Sequence, residues 1–252
     1  MAPRSVEIET DDGICPAALS VPVGEGPWPG VLLYADAGGM RDTVRQMAER
    51  LSDLGYVVLA PDVYYRSGSY PPPDFSSPAA REETMGRIMT LMSGYTTDLI
   101  LSDAKSFAGY LSSVPEKAAG GIGTTGYCMG GRTSLLVAAN LGDQIAAAAS
   151  FHGGSIANPA DPDSPHLRAS DISAVVYVAG AIEDPYFTDE QKQLLERSLT
   201  EAGVTHTIET YQAHHGFAVP DNDSFDAEAA ERHWRATEKF FGSELGLEAH
   251  QR

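Results

Sequence analysis

Cys128 sits in Gly126-Tyr127-Cys128-Met129-Gly130-Gly131, after an apolar strand pattern and before a helical one. In a Gly-x-Cys-x-Gly turn of this kind the small residues let neighbouring backbone pass close by, so the thiol is held up at the end of a sheet. The helix that follows sets a partial positive charge beside the sulfur. This makes Cys128 a candidate nucleophile, against the competing reading of a buried cysteine beside a tight turn. A nucleophile needs a base, and around such a turn the chain order is nucleophile, acid, histidine. His214-His215-Gly216-Phe217 follows the last strand pattern. His215 is the expected base, because the adjacent glycine lets the backbone turn, and His214 is the fallback. Glu183 and Asp184 both follow an earlier strand pattern. Asp184 is preferred because it precedes Pro185, which biases it to extended geometry. Its task is to hold the imidazole in one tautomer and to stabilise imidazolium. The backbone N–H groups of Met129 and Ala37 are the expected oxyanion donors.

These groups need a scaffold of strands ending on one edge. Apolar runs alternate with helical patterns, which predicts a mostly parallel sheet with helices on both faces; with a nucleophile turn at the end of a strand, the expected fold is that of the α/β-hydrolases. Strands are expected at Gly30 to Ala35, Tyr56 to Ala60, Gly121 to Tyr127, Ile145 to Phe151, Ala174 to Ala179 and His206 to Tyr211. Val6 to Thr10 and Cys15 to Val21 read as an edge hairpin. Helices are expected at Val44 to Leu54, with Asp42 or Thr43 as cap, at Arg81 to Met92, and at Thr97 to Leu111. Three more are expected after Cys128 through about Asn140, at Asp189 to Ala202 and at Phe225 to Phe241. Residues 1–252 read as a single domain with a cap-like excursion around 64–94, whose Pro-, Ser- and Gly-rich loop is long for a compact domain.

The cysteine elbow, the Glu-Asp pair after a strand, His-Gly-Phe, and Pro61-Asp62-Val63-Tyr64-Tyr65-Arg66 together resemble the dienelactone hydrolase family, over nearly the whole chain and in order. The resemblance implies a Cys-His-Asp triad, an acyl-enzyme, no metal or other cofactor, and hydrolysis of enol-lactones or related esters in the cytoplasm. It also implies an arginine beside an anionic substrate's carboxylate. Arg66 matches that position, and Arg81 is a looser candidate. The family's best-known members carry a glutamate just before the first oxyanion donor. This chain has Asp36 there, one methylene shorter, which leaves its part in activating Cys128 open.

Composition excludes several classes. The chain of 252 residues carries 17 Lys and Arg against 35 Asp and Glu, a net charge of −18, so nucleic acid is not an expected partner. No apolar run is long enough to span a membrane, and the early charges do not suit a secretory signal. Cys15 reads as packing in a strand. His152-Gly153-Gly154 either lines the pocket or makes a turn, and the Asp161 to His166 stretch has no metal spacing. Two other functions fit the same scaffold: a thiol acyltransferase, and a non-catalytic small-molecule-binding protein.

Overall fold

Val31-Leu32-Leu33-Tyr34 and Val57-Val58-Leu59-Ala60 are apolar at every position, and such strands are stable only with both faces covered. The computed structural model, which describes residues 3–246, covers them so. Its strands are β1 (Arg4–Thr10), β2 (Gly13–Ser20), β3 (Gly30–Tyr34), β4 (Val57–Pro61), β5 (Ile122–Tyr127), β6 (Ile145–Phe151), β7 (Val175–Gly180) and β8 (His206–Thr210). Its helices are α1 (Asp42–Asp53), α2 (Pro78–Ser93), α3 (Thr97–Ser113), α4 (Met129–Leu141), α5 (Asp189–Glu201) and α6 (Ala227–Glu244). All eight strands form one sheet in the order β1-β2-β4-β3-β5-β6-β7-β8. The β1–β2 hairpin pairs antiparallel at one edge and β2 is antiparallel to β4; the remaining pairs are parallel. This is the α/β-hydrolase fold expected from the alternating pattern. The outer ends of the 1–252 span, residues 1–2 and 247–252, lie outside the described residues. Among the described residues no helix is long and apolar enough to cross a membrane.

The two-residue period of a strand divides the core. Val31 and Leu33 pack with Met47 and Leu51 of α1 and Phe241 of α6 on one face. Leu32 and Tyr34 pack with Phe107 and Leu111 of α3 and Leu135 of α4 on the other. Each such side chain contributes about 1.5–3 kcal/mol by leaving water.

Two local details differ from expectation. Neither Asp42 nor Thr43 caps α1. Arg41 occupies the N-cap position without a side-chain cap bond, and Asp42 and Thr43 lie in the first turn. Thr43 Oγ1 instead donates to Asp221 Oδ2 at 2.7 Å. Helix α2 begins earlier than predicted, at Pro78, because Ser77 Oγ accepts from Ala80 N and Pro is favoured in a helical first turn.

After β3 the chain runs outward to β4, then crosses back to place β5 on the other side of β3. Ligands of open α/β sheets bind beyond the strand carboxyl ends at such a reversal. Here α4 crosses β3 closely. A Cβ on Gly130 would lie 2.3 Å from the Tyr34 carbonyl oxygen and 2.4 Å from that of Ala35. Gly130→Ala should therefore force α4 off the sheet and lower stability by about 1–3 kcal/mol. Gly109, inside α3 and with nothing within 4 Å of a would-be Cβ, behaves oppositely. Gly109→Ala should raise stability by about 0.5–1 kcal/mol. Thermal midpoints of the two variants in one buffer check the pair, and equal shifts would contradict the close-crossing argument.

Candidate active site

The carboxyl ends of β3, β5, β6, β7 and β8 deliver Asp36 to Ala37, Cys128, His152, Asp184 and His215 to one edge of the sheet. All but Asp184 line a cavity of about 590 Å³. Cys128 is the N-cap of α4, with φ 53° and ψ −116°, a backbone conformation that non-glycine residues rarely adopt. Its own backbone holds it there: Cys128 N donates to Phe151 O at 3.1 Å, and Cys128 O accepts from Gly131 N at 3.0 Å and from Gly154 N at 3.2 Å. Gly126 is required below it, since a Cβ there would stand 2.2 Å from the Gly130 carbonyl oxygen.

His215 Nδ1 lies 2.8 Å from Asp184 Oδ2. Asp184 is almost fully buried, and its Oδ1 accepts from Tyr186 N at 2.9 Å. The alternatives do not join them. Glu183 is exposed at φ 48°, and His214 is exposed and absent from the cavity wall. Burial works against a charged His215. The hydrogen bond to Asp184 and the nearby Cys128 sulfur outweigh it, and the imidazole is pushed up to about 10. Nε2, the nitrogen turned away from Asp184, makes no hydrogen bond of good geometry, although the sulfur is close enough to favour the charged ring.

His152 is fully buried at φ 38°, with its ring packed against His215 at 5.1 Å and Phe217 at 5.0 Å between centroids. Neither ring nitrogen has a hydrogen-bond partner. Burial, helped by His215, pushes this histidine well below its ordinary range, so it is neutral.

Asp36 lines the cavity but is already engaged. Its Oδ1 accepts from Gly38 N at 3.0 Å and Arg41 Nη1 at 2.7 Å, and its Oδ2 from Arg41 Nη2 at 3.0 Å. The same guanidinium reaches Asp221 through Nε and Nη2, both at 2.7 Å. Burial opposes the Arg41 charge, yet the two carboxylates raise its pKa above the usual arginine range.

Arg66 does not reach the cavity. Its guanidinium binds Asp103 through Nη1 at 2.7 Å and Nη2 at 2.8 Å, and Asp12 through Nε at 2.9 Å. The physical reason lies on α3: the Asp103 carboxylate is 1% exposed, and a buried charge requires a partner. Arg81 pairs with Asp223 and stacks on Phe75, also off the cavity wall. The arginines that do line it are Arg41 and Arg132. Arg132 stands one helical turn after Cys128, a spacing that could have pointed to it, whereas Arg41 carries no such signal. Met85, Met89 and Met92 of α2 also form part of the wall, and their spacing of four and three residues was legible. Cys15 is buried in the core among β-strand side chains. Among the described residues no group of three or more His, Cys, Asp or Glu side chains is placed to hold a metal ion.

Comparison with known proteins bears on the family and the fold. Two bacterial proteins named "Putative carboxymethylenebutenolidase" are similar along most of their length. The one from Synechocystis is 29% identical, over 90% of this chain and 91% of its own. The one from Methylorubrum extorquens is 25% identical, over 94% and 79%. Among solved structures, a dienelactone hydrolase-like promiscuous phosphotriesterase from metagenomic libraries superposes with a TM-score of 0.76 at 25% identity, covering 97% of this chain and 99% of that one. A Klebsiella pneumoniae structure described as a "Putative Dienelactone Hydrolase" shares the fold at a TM-score of 0.79 and 23% identity, covering 95% and 98%. The profile of the dienelactone hydrolase family matches residues 15–245, so the chain belongs to that family and is an ester or lactone hydrolase acting on a small molecule.

Proposed function

We propose that the chain hydrolyses its ester or lactone through an acyl-enzyme on Cys128, with His215 moving the proton and Asp184 orienting His215. The observation that carries this reading is the 2.8 Å His215–Asp184 contact in a ring that shares its cavity with a thiol on a strained strand-to-helix turn. The sulfur attacks the acyl carbon while His215 keeps the proton. The carbonyl oxygen becomes an oxyanion and is met by backbone N–H groups. Met129 is the first residue of α4, so its N–H has no acceptor within the helix. In the turn after β3, Asp36 takes the N–H groups of Gly38 and Gly39, which leaves that of Ala37 for the cavity. Collapse of the intermediate expels the alkoxide, which receives the His215 proton. Water then attacks the thioester, giving His215 a proton and the product its second oxygen, and the C–S bond breaks to return Cys128 as the thiolate beside the charged imidazole. This is nucleophilic catalysis with a general acid and base.

In this mechanism Asp36 is a positioning residue. It ties the oxyanion turn to Arg41, and its carboxylate is occupied by that guanidinium. Asp36→Asn keeps the Gly38 contact and should lower kcat/KM by about tenfold, whereas His215→Ala should lower it by about 10²–10⁴-fold. Steady-state kinetics of the two variants compare them directly. An equally deep loss from both would make Asp36 a proton-transfer group.

The two cysteines give a chemical test. Burial pushes the Cys15 thiol up to about 12, so it resists alkylation. Iodoacetamide should label Cys128 alone, with activity lost in step, and Cys128→Ala should be folded and inactive while Cys15→Ala keeps most of its turnover. Peptide mass mapping that finds Cys15 labelled at full inactivation, with Cys128 free, would overturn the assignment.

The raised His215 value sets a pH dependence. An imidazole that holds its proton more tightly when folded contributes stability fully below about 6.5, lost as pH rises towards about 10. The same proton serves the leaving alkoxide. For an alkyl ester, kcat/KM should therefore fall on the alkaline side near 10. Asp184→Asn removes a hydrogen bond that raises the value, so its alkaline limb should move down. An unmoved limb would detach Asp184 from His215.

A further inference from the structure

The cavity's charge pattern and its apolar wall bear on what the enzyme accepts. Every arginine that lines the cavity is already ion-paired. Arg41 lies between Asp36 and Asp221, and Arg132 Nη1 lies 2.9 Å from Asp161 Oδ2. Arg132 also donates to the carbonyls of Ser155 at 2.9 Å and Asp163 at 3.0 Å. An incoming carboxylate would add a third negative charge around Arg41 or a second beside Arg132, each in a partly buried site where screening is weak. The two arginines face three carboxylates on the same wall, and the whole chain carries −18. Arg66 and Arg81, the cations expected for an anionic substrate, are spent on Asp103 and Asp223.

The same cavity also has an apolar part. Met85, Met89 and Met92 project from one face of α2, joined by Phe75, Ile88 and Tyr95. The methionines are 43%, 62% and 37% exposed, which is unusual for side chains with no polar atom able to donate a hydrogen bond. Only Thr84, Ile88 and Leu91 of α2 are buried, so the helix lies lightly on the molecule and its methionines can adapt to a guest.

We infer that the acyl half of the substrate is uncharged and apolar, an alkyl chain or ring lying along the methionine face of α2, and that anionic lactones and half-esters are poor substrates. This rests on the hydrolytic reading above and adds the substrate class. Each methylene taken fully out of water is worth about fourfold in binding. The test is kcat/KM for p-nitrophenyl acetate, butyrate and hexanoate beside p-nitrophenyl hydrogen adipate, which has hexanoate's length and a terminal carboxylate. Hexanoate should exceed acetate by about tenfold or more and adipate by about 100-fold. Met89→Ala should narrow the hexanoate-to-acetate ratio by severalfold, and Met89→Lys, which supplies an unpaired cation, should narrow the hexanoate-to-adipate ratio. Adipate turned over as well as hexanoate, or acetate preferred to hexanoate, would overturn the inference. A second arm needs no turnover: Cys128→Ala is titrated calorimetrically with 2-octanone and with octanoate. Tighter binding of the ketone supports the inference and tighter binding of octanoate sinks it. Loss of all Cys128-dependent hydrolysis would instead strike the mechanism, leaving the binding arm to decide the substrate class.

Discussion

Cys128 can hold φ 53° and ψ −116° only because everything around it refuses the alternatives. A non-glycine residue in such a conformation costs on the order of 1–3 kcal/mol, and that cost is met by the surrounding structure. The backbone on both sides of the residue is bonded to β6 and the loop after it, through Phe151 O and Gly154 N. Glycines at 126 and 130 let β5, α4 and β3 approach within the distance of a missing methyl group. The strain therefore has a function that a relaxed turn could not serve. It lifts the sulfur clear of the sheet edge, into the cavity shared with His215.

Arg41 plays a comparable part for the oxyanion side. It stands just before α1, binds the turn after β3 through Asp36, and binds the segment after β8 through Asp221. One guanidinium thus ties the connection between β3 and α1 to a stretch of chain 180 residues away. Removing one partner of a buried pair leaves an uncompensated charge and is far more disruptive than losing a surface pair. That is why Asp36, which stands where the resemblance places a glutamate that activates the cysteine, is in the structure part of a tether. The shorter side chain fits this reading, since it is held by Arg41 and by its own turn.

The sheet was legible because its signal is local. Short apolar or alternating runs broken by glycine or proline read as strands, and each appeared within two residues of its expected place. The elbow and the histidine loop were legible for the same reason: a turn that tolerates only small neighbours leaves its glycines in the sequence. The preference for Asp184 over Glu183 rested on Pro185 and on the shorter side chain, and it is Asp184 that meets His215. What could not be read were partnerships across the fold. Nothing in Pro61-Asp62-Val63-Tyr64-Tyr65-Arg66 shows that Asp103, 37 residues later on α3, is buried and claims that arginine. Nothing near Arg41 announces Asp221, 180 residues away. Ion pairs are set by which side chains the finished topology brings together, and a single sequence carries no periodicity for them. The methionines of α2 are an intermediate case. Their spacing was visible, but a helical stripe of methionine more often marks core than a cavity wall.

The loops around the reacting groups are fastened to one another through backbone hydrogen bonds, and the methionine wall is not. His152 N donates to Ala179 O, Gly154 N to Cys128 O, Ser155 N to Tyr186 O and Ile182 N to Ala213 O, so the segments after β5, β6, β7 and β8 form one hydrogen-bonded rim. A hydrolytic centre needs this, because misplacement by about an ångström between nucleophile, base and oxyanion donors costs orders of magnitude in rate. Helix α2 is held through side chains instead: Asp74 and Thr84 bond each other, Arg87 Nη2 donates to Pro72 O at 3.2 Å, and Arg81 pairs with Asp223. The molecule thus separates two requirements that conflict within a single element. Precision is built into the sheet edge, where the chemistry is the same for every ester. Adaptability lies on α2: under the substrate class proposed above, unbranched methionine side chains follow the shape of the acyl group without disturbing the sulfur or the imidazole.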